Sequence, residues 1–191
     1  RDEAMLLANG ANLSRALFAL HNEKPRLEKQ IIQTVRGLEP RLDLFSFSSP
    51  DPEHVHLFLE DKSEHRLSAR SVSDGTIRFI AMAYVVLMAE QQTKALGFSP
   101  LNIIEEPENG LYVGHLKPLV EKIDSQGKAG QFIFTSHSPY FIDLFDTNLE
   151  GIHLVKPGHP SSVIAKPDPG KIRQLLDEMP LGELHYREML A

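Results

Sequence analysis

An α/β fold with a mostly parallel sheet is the class the sequence predicts, and three observations predict it. The first is a strand, helix, strand pattern after Gly97 and Pro100: "LNII", a helix expected from Leu111 to about Ile123, then "QFIFT". Two short apolar runs joined by a helix make a crossover unit, whose strands lie parallel. The second is the stretch from Thr76 to about Gln92, which carries Ile77, Phe79, Ile80, Tyr84, Val85, Val86, Leu87 and Met88 and is apolar almost all round. It is too long for one strand and reads as a buried helix, long enough at about 1.5 Å per residue to span a small domain. The third is "GIHLVK" and "SVIAK", separated by the turn Pro157 to Pro160 and expected to pair antiparallel at a sheet edge.

The other elements follow from the same rules. Apolar residues recur at Leu6, Leu13, Leu17 and Leu20, and again at Leu27, Ile31 and Val35, so the first forty residues read as two helices. Pro25 opens the second helix, and Gly37 and Pro40 end it. In "EHVHLFLE" the residues Val55, Leu57 and Leu59 alternate with polar partners, the period of a half-buried strand. "HRLSAR" returns beside it across the charged turn Glu60 to Glu64 as a small hairpin. Helices at about Lys171 to Glu178 and Glu183 to Leu190 close the chain, which has no internal repeat and no low-complexity segment.

Composition narrows the function classes. At 191 residues and 41% hydrophobic, the chain is long enough for a domain with a real core and too short for two large ones. It has no apolar run of the length needed to cross a bilayer. The absence of cysteine excludes disulfide frameworks, thiolate zinc sites and cysteine nucleophiles, and suits a reducing compartment; the cytoplasm is the expected location. A formal charge of −6 offers no global attraction for nucleic acid, and no run of lysine and arginine supplies a local basic patch. The sequence begins at Arg1 rather than methionine, which suggests that something upstream is missing.

Three segments are suited to chemistry. "LNIIEEPENGL" places Glu105 and Glu106 at the carboxyl end of an expected parallel strand, the edge where open α/β sheets bind ligands. A carboxylate there holds a magnesium ion, usually through water, and its neighbour orients or deprotonates an attacking water. The competing reading is that Pro107 begins a helix and the acids gather at the positive end of its dipole. "SVSDGTIRF" places Ser73, Asp74 and Gly75 at the start of the long apolar helix, a hydroxyl and free N–H groups where phosphate binds. A plain helix cap explains the same residues. In "FIFTSHSPYFIDLF" His137 follows a strand and precedes a helix that Ser138 caps and Pro139 starts. It therefore emerges at the same sheet edge as Glu105 and Glu106, with a claim to touch a phosphate, although a lone histidine is more often structural.

In this order the segments resemble the carboxy-terminal half of an ATP-binding-cassette (ABC-class) P-loop ATPase, whose fold is three-layered α/β with a buried signature helix. "SDGT" resembles the signature motif, "NIIEEPENGL" the Walker B strand running into the D-loop, and "FIFTSHSP" the switch-histidine strand. More narrowly, "SDGTIRF", "IEEPENGL", "SHSPYFID" and the final "LGELHY" resemble the soluble ATPases related to the RecF and SMC (structural-maintenance-of-chromosomes) group. The likeness covers residues 68–191 well, which the resemblance makes the ABC ATPase carboxy-terminal subdomain; residues 1–67 form a helical segment and hairpin that it covers weakly.

The resemblance implies ATP and magnesium as ligands and a role for each matched residue. Glu105 stands at the Walker B acid that supports magnesium, and Glu106 at the glutamate that polarises the attacking water. His137 stands at the switch histidine, which contacts the γ-phosphate. Ser73, Asp74, Gly75 and Thr76 stand in the signature that grips the γ-phosphate of ATP held by the other subunit of a head-to-tail homodimer. Glu108, Asn109 and Gly110 fall in the D-loop that crosses to that subunit. The chain departs from the family's pattern in having Glu105 where most cassettes have aspartate, and Tyr112 where an acid or histidine is usual. No G-x-x-x-x-G-K-[ST] loop occurs in the 191 residues, so the phosphate loop is expected upstream or on another chain. Two other readings compete: a non-hydrolysing interaction or regulatory module, and a metal-dependent nuclease built on Glu105, Glu106 and Glu108. Many relatives of the resembled group work with nucleases or on DNA, but nothing in this chain identifies such a partner.

Overall fold

The computed structural model describes residues 5–51, 54–127 and 130–190. The chain forms two compact units, Arg1–Ile104 with Asn109–Ile133, and Glu105–Glu108 with Phe134–Ala191.

In the first unit, helices α1 (Leu13–Glu23) and α2 (Pro25–Val35) bury Leu13, Leu17 and Leu20, and Leu27, Ile31 and Val35. Leu6, expected in the first helix, lies ahead of it. Gly10, at φ +68°, breaks the backbone there, and the Asn12 side chain holds Leu7 N–H and Met5 C=O instead. Next comes a three-stranded antiparallel sheet in the order β1 (Leu42–Asp51), β2 (His54–Asp61), β3 (Arg66–Ser68). The expected hairpin is its β2–β3 half, with Glu53 at its head outside the described residues. Strand β1 escaped the sequence reading because a register shift between Leu42 and Leu44 puts Leu42 and Phe45, three apart, both in the core. A bulge of this kind breaks the period of two by which strands are recognised.

Helix α3 (Asp74–Leu96) is longer than expected at both ends and is buried on most sides, including Phe79, Ile80, Ala83, Tyr84 and Val86. Gly97, left-handed at φ +75°, ends it. Strand β4 (Leu101–Glu105) pairs with β5 (Gln131–Thr135). Gln131 N–H bonds Pro100 C=O just before β4, and Glu106 N–H bonds Thr135 C=O just after it, so both strands run the same way, as a crossover requires. The helix between them is shorter than expected. Residues 107–111 are turns and bends, Val113–His115 is a 3-10 turn, and α4 spans only Lys117–Gln126, opened by Pro118 rather than by Pro107.

The second unit has its own core of Leu149, Ile172, Leu181, Leu184 and Leu190. Phe134, Phe141 and Phe145 form an aromatic triangle with centroids 5.3 to 5.9 Å apart. Ser138 caps the short α5 (Pro139–Ile142), as predicted. Strands β6 (Leu154–Lys156) and β7 (Val163–Ala165) pair antiparallel as their own two-stranded sheet. Helices α6 (Pro169–Leu175) and α7 (Leu181–Tyr186) close the unit, both starting earlier than the periodicity suggests because Asp168 and Pro180 begin them.

The motif "LGELHY" has a packing reason. Gly182 N–H donates to Asp143 Oδ1 at 2.7 Å, and a Cβ on Gly182 would lie 2.1 Å from Pro139 C=O. Backbone faces backbone there, so no side-chain rotation relieves the clash. Gly182→Ala is expected to destabilise the protein by at least about 1–3 kcal/mol, the cost of overpacking. A urea melt reads it, and an unchanged midpoint would refute the packing.

Candidate functional site

The catalytic candidates lie where β4 and β5 end, in the second unit. Glu105 is the last residue of β4, exposed, and its carboxylate has no hydrogen-bond or ion-pair partner among the described residues. Glu106 follows with φ +43°, a left-handed conformation that a side chain adopts only at a cost. Its N–H bonds Thr135 C=O at 2.8 Å, tying the end of β4 to the end of β5. Strain of this kind persists only where the surroundings impose it, and it is enriched at functional sites.

The backbone here removes the competing account of the acids. With Glu106 left-handed, residues 107–111 in turns and bends, and α4 beginning at Lys117, Glu105, Glu106 and Glu108 are not the first turn of an α-helix. No dipole explains their clustering.

Glu108 turns toward the switch segment. Its Oε1 accepts a short hydrogen bond from Ser136 Oγ, and that same Oγ accepts from Ser138 N–H at 2.9 Å. The other oxygen, Oε2, is buried with no partner among the described residues. Ser136 and Ser138 flank His137, so this chain of bonds fixes the loop on either side of the imidazole while the imidazole itself is exposed. The role of Ser136 was missed in the sequence; its only signal there is its place beside His137.

The phosphate-binding candidates lie in the first unit. Ser73 caps α3: its Oγ accepts from Thr76 N–H at 3.2 Å and shares a hydrogen bond with Thr76 Oγ1 at 2.8 Å. Asp74 occupies the first turn, where its charge suits the helix dipole. Gly75 is buried against Gly110: a Cβ there would lie 2.2 Å from Gly110 C=O and 3.3 Å from Leu111 Cδ2. Gly110 itself is left-handed at φ +76°. Two glycines thus let the signature segment and the D-loop segment touch backbone to backbone, a contact that no spacing in the sequence announces. Asn109 is exposed, and Tyr112, 76% exposed, stacks edge-on against His115 at 5.5 Å.

Glu105 fits magnesium as that ion is held in nucleotide sites, where one or two carboxylates act together with substrate phosphates. Among the described residues no group of three metal-ligating side chains forms a protein-only cage. No helix among them is long and apolar enough to cross a membrane.

The chain is similar to known proteins in sequence and in fold. The sequence model of the family described as "AAA domain, putative AbiEii toxin, Type IV TA system" matches residues 4–143. No curated protein matches the sequence. Among solved structures, one from work on ATP-driven dimerization and DNA-stimulated activation of SMC ATPases is 15% identical, with 85% of this chain and 96% of that one covered and a TM-score of 0.57. An SMC head bound to the C-terminal winged-helix domain of ScpA is 15% identical, with 86% and 49% covered and a TM-score of 0.58. The Pyrococcus furiosus SMC head with an extended coiled coil, bound to the C-terminal domain of ScpA, is 15% identical, with 89% and 42% covered and a TM-score of 0.57. This chain thus spans less than half the length of the last two. At this identity the likeness is one of fold, that of the SMC ATPase heads.

Proposed function

The chain belongs to this AAA-domain family, an ABC-class group of P-loop ATPases related to SMC and RecF proteins, and from that premise we propose that it supplies half of a magnesium-dependent ATP-hydrolysing site in a head-to-tail dimer. The observation that carries the reading is Glu106, held left-handed at the strand end beside an unpartnered Glu105, in a segment where no helix dipole accounts for acids. Glu106 orients the attacking water and accepts its proton, and Glu105 holds magnesium. The ion, when bound, neutralises charge on the β- and γ-phosphates. His137 contacts the γ-phosphate, and the Glu108–Ser136–Ser138 bonds hold its loop in place. Ser73, Asp74, Gly75 and Thr76 face the nucleotide of the partner subunit, with Asn109, Gly110 and Tyr112 at the subunit contact.

The phosphate loop comes from an upstream segment or from another chain. The β4–β5 pair supports this. Leu101 and Ile103 on β4 and Ile133 on β5 are 53%, 61% and 48% exposed. Parallel strands are ordinarily covered on both faces. An apolar face left open on a two-stranded parallel sheet suits the strands and helices that would carry the loop.

The 191-residue chain alone is therefore expected to hydrolyse ATP negligibly, because the lysine and backbone nest that hold the β- and γ-phosphates are not among its residues. Steady-state phosphate release from the purified chain tests this. Robust magnesium-dependent turnover, abolished by Glu106→Gln, would show that the site works without a further phosphate loop and would overturn this part of the proposal.

A further inference from the structure

The first unit contains a cleft of about 440 Å³ whose lining includes none of the residues assigned to ATP. Its polar lining includes Arg15 on α1, His56 on β2 and Arg70 in the turn after β3, together with the hydroxyls of Ser14 and Ser68. Residues far apart in the sequence thus assemble a basic surface that no run of lysine or arginine announces. Among the described residues no carboxylate lines the cleft. The Arg70 guanidinium and the His56 ring have no hydrogen-bond or ion-pair partner among the described residues. The walls are mixed, with Leu7 and Val55 beside the cations.

We propose that this cleft binds the phosphate group of a small phosphorylated ligand, with Arg15 and Arg70 as cationic contacts and Leu7 and Val55 against the rest of the molecule. Guanidinium groups match phosphate oxygens in geometry as well as charge. The volume lies in the range of small-molecule sites and exceeds what a lone phosphate fills. Ser68 accepts from Arg70 N–H at 3.3 Å, and Arg70 stands three residues before Ser73. An occupied cleft would therefore brace the chain as it enters α3. The site is independent of the ATPase reading, since it uses none of the residues assigned to ATP.

The test is a titration of the 191-residue chain, followed by amide NMR, with inorganic phosphate, with AMP and with a short single-stranded oligonucleotide. Saturable shifts at Ser14, Ala69 and Arg70 are expected with AMP. AMP is expected to bind more tightly than inorganic phosphate, and equal affinity for the two would overturn the contact of Leu7 and Val55 with the rest of the ligand. Arg70→Ala, an exposed and unpaired position that should not affect folding, is expected to weaken AMP at least ~10-fold, the worth of a charge-assisted contact. Glu106→Gln should leave AMP binding unchanged. Shifts confined to residues 73–76 and 135–138, wild-type affinity in Arg70→Ala, or binding of the oligonucleotide alone would each overturn the proposal.

Discussion

Glu106→Gln, in the protein that carries both the phosphate loop and this chain, is expected to slow ATP hydrolysis by at least about a hundredfold while ATP binding persists. Glutamine has the same shape and keeps the backbone N–H that bonds Thr135, so the left-handed turn survives. What is lost is the carboxylate that, on the proposed function, accepts a proton from the attacking water. Bound ATP is then trapped, and the variant accumulates as an ATP-bound dimer. Light scattering with and without ATP reads the dimer, and single-turnover phosphate release reads the chemistry. Wild-type turnover in the variant would remove Glu106 from the mechanism. Loss of ATP binding together with a lowered melting temperature would show that its role is structural.

Ser73→Arg is expected to abolish ATP-dependent closure of the dimer, with partial return of the lost activity on mixing. As a helix cap alone, Ser73 contributes about 0.5–2 kcal/mol to α3, so its loss would lower stability and leave nucleotide chemistry in the folded fraction unchanged. As a signature residue, its place is filled by a side chain that occupies the space of the partner's γ-phosphate. Each subunit still binds ATP through its own phosphate loop but cannot close. Ser73 is a better probe than Gly75, where any side chain strikes the Gly110 carbonyl and confounds function with stability. A composite site needs one intact loop and one intact signature. Mixing Ser73→Arg subunits with phosphate-loop mutants is therefore expected to restore one of the two sites, with activity well above either mutant alone. Full ATP-dependent dimerisation by Ser73→Arg on its own would refute the assignment.

The elements legible in the sequence are those whose signal is local. The periodicity of α2, the long apolar run of α3, the short runs of β4 and β5, and the Ser138–Pro139 start of α5 each lie in a few consecutive residues, and each appears where the pattern places it. Strand β1 was not legible, because its bulge breaks the alternation. The helix expected from Leu111 begins only at Lys117, after the left-handed Gly110 and a 3-10 turn at Val113–His115. A positive φ at glutamate is set by what surrounds it, and composition carries no sign of it.

By itself the sequence determined which residue types stand at the ends of β4 and β5 and at the head of α3, and through their order it determined the family. Side-chain chemistry and chain spacing are one-dimensional properties, and they suffice for that. Only the tertiary structure decided that Glu108 reaches Ser136 rather than solvent, that Gly75 and Gly110 touch, and that Arg15, His56 and Arg70 line one cleft. These juxtapositions bring together residues 14 to 55 positions apart. They depend on how whole elements pack, and packing is settled by the summed burial of many apolar side chains rather than by the few polar residues that it brings together.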